Sequence, residues 1–236
     1  IDMLPKIATP KYDMIVPSTG ESITYRPYVV REEKILLIAF ESQDESMIEK
    51  AVLNIIETCI ESKISIKALT NFDIEYMFVT LRSKSVGEGI KLTLPCTACE
   101  EPNELKIDLD KVIVSNLEDV VDKHIKITDD ISIDVKWQTV NDNLKKVTPK
   151  TETDGIIQMV ASGIETVYSG EEIFASKDVP KKELIDFVES LSTDQFTAIV
   201  DVLQKAPYLS YKMEYTCKKC GEHNERSLNG LIDFFQ

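Results

Sequence analysis

Four of the five cysteines fall into two pairs of identical spacing, Cys96-Thr-Ala-Cys99 and Cys217-Lys-Lys-Cys220. A two-residue gap lets both sulfurs of a pair turn toward one point, and two such pairs supply the four thiolates of the tetrahedral set that zinc favours. Each pair follows a strand-like run, Lys91-Leu-Thr-Leu-Pro95 or Tyr211-Lys-Met-Glu-Tyr-Thr216, and precedes a polar stretch and a returning segment. This is the layout of a zinc ribbon, split because residues 100–216 lie between its halves. A closed four-thiolate site has no open position for water or substrate, so one zinc ion held by Cys96, Cys99, Cys217 and Cys220 is expected to fasten the fold, not to catalyse. It would clamp the middle of the chain to its C-terminal segment.

Other uses of paired cysteines stay open. Disulfides within or between the pairs need an oxidising compartment, and Ile1 to Met14 carry no apolar signal core, which points to synthesis inside the cell. A thioredoxin-like pair opens a helix after a strand, and Pro95 with Glu100-Glu101-Pro102 does not suit that geometry. An iron–sulfur cluster also takes four thiolates, and knuckles that bind nothing are a further alternative. The fifth cysteine, Cys59, lies on a helical apolar stripe and reads as core packing. His223, just behind Cys220, reads as a surface residue or a donor behind the ligands, and His124 as an ordinary strand residue. Neither histidine stands beside a Ser or Cys nucleophile, so no catalytic residue is assigned. There is no Gly-Lys-Ser phosphate loop, dinucleotide fingerprint or His-Glu-x-x-His helix, and Gly87-Glu-Gly89 is too short and acidic to cradle phosphate; no small-molecule substrate is expected.

Positioning these residues requires a core, and 236 residues with 43% hydrophobic content can bury one. A net charge of −14 weighs against nucleic acid and anionic membrane, both of which repel such a surface. The one basic cluster near the site, Lys218-Lys219, is offset by Glu214, Glu222 and Glu225. Apolar runs are far shorter than the roughly 20 residues that cross a bilayer.

The periodicities predict an α+β protein with mixed or antiparallel strands, a split zinc-ribbon-like site and a helical insertion. Residues 1–21, with three prolines and no sustained period, read as an extended arm. Residues 22–137 form the α+β core with the first knuckle. Ile23–Val30 and Lys34–Phe40 read there as paired strands, followed by a helix from a Ser42-to-Glu45 capping box to about Ser62. A second helix runs from Phe72 to about Val86, capped by Thr70 or Asn71, and strands follow at 90–94, 105–109, 124–128 and 131–137, the last two joined at Asp129-Asp130. Residues 138–205 read as a polar linker and a helical insertion, with helices near 155–168, 181–191 and 194–205. Residues 206–236 read as a strand and the second knuckle returning to the core.

Several ordered segments also resemble a known family. Pro17-Ser-Thr-Gly20, Tyr25-Arg-Pro27, Glu32-Glu-Lys34 leading into Leu36-Leu37, Phe72-Asp-Ile-Glu-Tyr76, Leu81-Arg-Ser-Lys-Ser-Val-Gly-Glu88, the paired knuckles and Gly230-Leu-Ile-Asp-Phe-Phe235 resemble, in that order, the baseplate hub subunits of T-even-type contractile-tailed bacteriophages. The resemblance implies a non-enzymatic tail protein, made in the host cytoplasm and used in the virion's baseplate, with other baseplate and tail proteins as partners. It carries no catalytic residues across, and the zinc expectation rests on spacing, not on kinship. The acidic surface suits contacts with other phage proteins, with the N-terminal arm and Phe234-Phe235 as candidate docking elements. Alternative roles are a hub assembly chaperone that leaves the virion, and a zinc-ribbon regulator associated with nucleic acid.

Overall fold

A computed structural model describes residues 7–144, 149 and 151–234. In chain order the elements are strands β1 (Tyr12–Ile15) and β2 (Ser22–Tyr25), helices α1 (Val30–Glu41), α2 (Glu45–Cys59) and α3 (Asn71–Val86), and strands β3 (Gly89–Pro95), β4 (Pro102–Asp108) and β5 (Ile113–Ser115). Then come β6 (His124–Lys126), β7 (Ile131–Val135), α4 (Val140–Leu144), α5 (Glu152–Gly163), β8 (Ile164–Ser169), β9 (Glu172–Ala175), α6 (Lys181–Glu189) and α7 (Thr193–Leu203). The last two strands are β10 (Tyr208–Thr216) and β11 (His223–Asn229). All named strand pairings are antiparallel. The chain divides into two units, Ile1–Ser115 with Tyr208–Gln236, and Asn116–Pro207.

The first unit holds both knuckles. β3 and β4 form one hairpin, and β10 and β11 form another, with β5 on the free side of β10. Alternation along the strands sends Ile90, Leu92, Ile107, Leu209 and Leu228 inward, where they meet Val79 of α3 and Phe234 in one apolar cluster. Burial of that cluster sets the two hairpins beside each other. Phe234, 2% exposed, is therefore a core residue and not a docking element. Phe235, its expected companion, lies outside the described residues.

The second unit is not purely helical. Its sheet, in the order β6-β7-β8-β9, packs Ile133, Val135 and Ile164 against Val160 of α5, Val188 of α6 and Ile199 of α7. The hairpin around Asp129-Asp130 forms, but it belongs to this unit and not to the 22–137 core, so the chain parts near residue 115 instead of within 138–154. The helix expected over 155–168 stops at Gly163, after which the β-branched Ile164, Thr166 and Val167 continue as β8.

Two further expectations give way at the N-terminal end. The expected arm contributes β1, which pairs with β2 and buries Met14 and Val16 in its own unit. Lys34–Phe40 is not a strand but lies within α1. A short run rich in Ile and Leu carries no period of its own, and the deciding signal is the acidic first turn, Glu32-Glu33, beside the positive end of a helix dipole. The Glu32 carboxylate accepts from the Val29 amide at 2.9 Å, closing the N-terminus. Only Glu32, Leu36 and Ala39 of α1 are buried, which leaves Val30, Leu37 and Ile38 exposed and hides the helical pattern in the sequence. The next helix is capped by Asp44, which accepts from the Ser46 and Met47 amides, and Ser42 instead ends α1.

The segments that carried the resemblance meet as polar ties around α3. Asp73, fully buried, accepts from the Ser18 amide and hydroxyl at 2.8 and 2.6 Å and from the Thr70 amide and hydroxyl at 3.0 and 2.6 Å. The Pro17–Gly20 turn is thereby pinned to the start of α3. At the other end of the helix, the Ser85 hydroxyl accepts from the Tyr28 amide at 2.9 Å, while Ser83 and Lys84 bond Asp110.

These ties give two expectations. Asp73→Ala strips a buried acceptor from four donors and should cost about 3 kcal/mol, read as a lowered urea midpoint with an unchanged slope. Burial alone would push the Glu32 carboxyl up, but hydrogen bonds from Arg31, the Val29 amide and Arg26 hold it down to about 2, from an ordinary 4.5. A depressed carboxyl stabilises the fold fully above its unfolded value and loses that contribution as pH falls toward 2. Because Arg31 lies mostly in solvent, screening reduces that contribution to about 1–2 kcal/mol. Glu32→Gln should therefore lower stability at pH 7 and flatten its fall between pH 4.5 and 2, measured by denaturation across that window.

Candidate metal centre

Both knuckles are the six-residue turns of the two core hairpins. In the first, the Cys96 amide donates to the Glu101 carbonyl at 2.9 Å and the Glu100 amide to the Cys96 carbonyl at 3.0 Å. In the second, the Cys217 amide donates to the Glu222 carbonyl at 2.8 Å and the Gly221 amide to the Cys217 carbonyl at 3.0 Å. The residue after each second cysteine is left-handed, Glu100 at φ 58° and Gly221 at φ 77°, which turns the chain back into its returning strand. Glycine takes that conformation freely, whereas Glu100 takes it at a cost of order 1 kcal/mol.

Core packing brings the two turns together. Cys96 Sγ lies 3.7 Å from Cys220 Sγ, and Cys99 Sγ lies 3.7 Å from Cys217 Sγ, so both short pairs cross between the knuckles. All four sulfurs lie within 4.8 Å of one another. A disulfide needs about 2.05 Å, and these thiols are free. Four thiolates about 2.3 Å from a shared ion sit at tetrahedral edges of about 3.8 Å, close to the two short separations. Cys96 and Cys217 are buried, Cys99 is half-buried and Cys220 is exposed.

The backbone favours thiolate at the inner positions. Amides of Cys220 and Lys219, then the Asn103 side chain, hold the Cys217 thiol down to about 6, and the Ala98 amide leads the groups that lower Cys96. Cys220 gains from the Glu222 amide, but the neighbouring thiols of Cys99, Cys217 and Cys96 overrule it and push Cys220 up to about 12. Protein groups alone therefore do not support four negative sulfurs in this space. A bound cation reverses that limit, because a coordinated thiol is deprotonated outright.

Two residues at the centre escaped the sequence reading. Asn103 and Asn224, 2% and 1% exposed, each stand four positions after the second cysteine of a knuckle. Asn103 Nδ2 donates to its own Glu101 carbonyl at 2.8 Å and reaches Cys217 Sγ at 3.7 Å, while its Oδ1 accepts from the Lys218 amide at 3.2 Å. Asn224 mirrors it, with Nδ2 donating to the Glu222 carbonyl at 3.0 Å and reaching Cys96 Sγ at 3.6 Å, and Oδ1 accepting from the Thr97 amide at 2.8 Å. The legible signal was the longer repeat, Cys-x-x-Cys-x-x-x-Asn, in both knuckles. Outside this set, Lys219 pairs with Glu101 at 2.7 Å, and the Tyr215 hydroxyl donates to the Pro95 carbonyl at 2.9 Å.

The remaining candidates lie elsewhere. Cys59 is fully buried in α2, its thiol pushed up to about 11 by that burial, as a packing residue should be. His223 approaches Glu214 at 3.7 Å, with Glu225 nearby, on the exposed side of the β10–β11 hairpin. His124 bonds Asp134 at 2.7 Å across β6 and β7 in the second unit.

No helix among the described residues is long and apolar enough to cross a membrane. No solved structure matches the chain. The baseplate hub assembly protein gp26 of Enterobacteria phage T4 is 25% identical over 228 residues, which cover 96% of this chain and 97% of that protein. A family model described as T4 bacteriophage base plate protein matches residues 9–236, a span that takes in both knuckles, both hairpins and the whole second unit, and the chain belongs to that family.

Proposed function

We propose that this chain works in building the phage tail baseplate, in the hub region, through contacts with other baseplate and tail proteins. The observation that carries the reading is the family match from residue 9 to residue 236, because it spans both structural units and not one shared module. The relative is named a hub assembly protein, in keeping with a role in assembly; in a second form of that role the chain would help assemble the hub and then depart. The two forms separate in one measurement. Quantitative mass spectrometry of purified virions should find the chain in fixed stoichiometry if it is a component. Its presence in assembly intermediates alone would assign it to the departing factor, and its absence from both would sink the baseplate role.

Within this role the four-cysteine centre is structural. Cys96, Cys99, Cys217 and Cys220 would hold one zinc ion, whose chemistry is to compensate four thiolates and fix two hairpins to each other. The compactness of the sulfur set supports a single ion over an iron–sulfur cluster, whose inorganic sulfides spread the cysteines further apart. Four protein ligands leave no site for an activated water, which favours a non-enzymatic reading. Metal analysis of protein purified without added chelator should give one zinc per chain. Cys217→Ser should lose the ion and with it much of the first unit's stability, since structural zinc contributes on the order of 10 kcal/mol. Retention of a full equivalent of zinc by Cys217→Ser would overturn the assignment.

A further inference from the structure

We infer that Asn103 and Asn224 are the positioning residues of the metal centre, forming a reciprocal latch that presets the two inner sulfurs for the ion. The inference rests on the metal reading given above and extends it to residues that touch no metal. Each asparagine is anchored on its own knuckle, through the Glu101 or Glu222 carbonyl, and works on the other knuckle. There it offers an N–H to the buried sulfur, Cys217 or Cys96, and a carbonyl to the amide one residue beyond that cysteine. A carboxamide is the side chain that supplies donor and acceptor together in this span. Aspartate would lose the N–H and set a carboxylate against a thiolate. Leucine would leave the Lys218 or Thr97 amide without its acceptor.

The pairing is selective as well as stabilising. Each hairpin has its own knuckle, and nothing local to a knuckle says which other turn it must meet. The crossed asparagines supply that information, because their bonds form only when the two turns face each other in this register. Their N–H groups also reach the sulfurs of Cys217 and Cys96 at 3.7 and 3.6 Å, so two of the four ligands are held in orientation by the protein itself. Groups that orient metal ligands in this way typically change affinity by about 10- to 100-fold.

The test compares the full chain with Asn103→Ala, Asn224→Ala and, as a control, Lys91→Ala. The control removes an exposed lysine side chain from β3 of the first hairpin, away from the turn that carries Cys96 and Cys99. Zinc affinity is measured by competition with a chromogenic chelator, and cobalt(II) substitution reports the ligand field. Each asparagine-to-alanine variant should bind zinc about 10- to 100-fold more weakly while its cobalt form keeps a tetrahedral all-thiolate spectrum, and Lys91→Ala should change affinity less than about twofold. The gain in melting temperature from zinc should shrink in the asparagine variants. If instead loaded and chelated forms melt lower in parallel, with zinc affinity unchanged, the asparagines merely hold the hairpins and the inference falls. Should the alanine variants fail to fold, Asn103→Asp and Asn224→Asp carry the same comparison, with a larger loss expected. A wild-type chain that binds neither zinc nor cobalt would remove the metal reading itself, a result distinct from unchanged affinity in the variants.

Discussion

Four sulfurs within 4.8 Å are a physical demand that the rest of the first unit must satisfy. Two of them come from a turn near the middle of the chain and two from a turn near its end, so no local preference brings them together. The apolar cluster beneath the hairpins does so, by joining Ile90, Leu92 and Ile107 with Leu209, Leu228 and Phe234 under α3. Hydrophobic burial sets the approach, but it is non-directional and cannot fix a turn to within a fraction of an ångström. Directional groups finish the placement: the paired turn amides, the crossed asparagines and the Tyr215 hydroxyl.

The same division of labour recurs around α3. Its apolar side contributes Val79 to the hairpin cluster, while buried or half-buried polar groups at both ends tie down loops that have no register of their own. Asp73 holds the turn between β1 and β2, Ser85 the approach to α1, and Glu75 accepts from the Leu231 amide at 3.3 Å in the C-terminal segment. Burial leads the causes that raise the Glu75 carboxyl, opposed by the amides it accepts from. The short segments that resembled the phage family are mostly these ties, which explains why they read individually as plain turns and caps. Their meaning lies in contacts across the chain.

Much of the first unit was legible because the signals were local. The Thr70 cap, the termination at Gly87, the alternation of β3 and β4 and the cysteine spacing each state their own geometry. The misread elements are those decided by burial elsewhere. In α1 the exposed Val30, Leu37 and Ile38 blur the helical period, and the charged Arg31-Glu32-Glu33, which looks like a break between strands, is the first turn of the helix. After Gly163 a helical run becomes a strand because a sheet edge is waiting beside β7. At the centre, the cysteines announced themselves by chemistry, whereas asparagines are common in turns for local reasons and gain their role here only by reaching a second hairpin.

The insertion of a whole unit, Asn116–Pro207, between the knuckles has a consequence for biosynthesis. A ribosome releases the first knuckle, α3 and the β3–β4 hairpin long before Leu209, Leu228 and Phe234 exist. Until β10 and β11 emerge, the apolar side of that hairpin lacks the cover of Leu209, Leu228 and Phe234, and Cys96 and Cys99 have no counterpart. The inserted unit, with its own core, has no such wait. The inserted middle can therefore complete its core while the β3–β4 hairpin, made before it, still has an uncovered apolar side that is open to misassociation until β10 and β11 close over it.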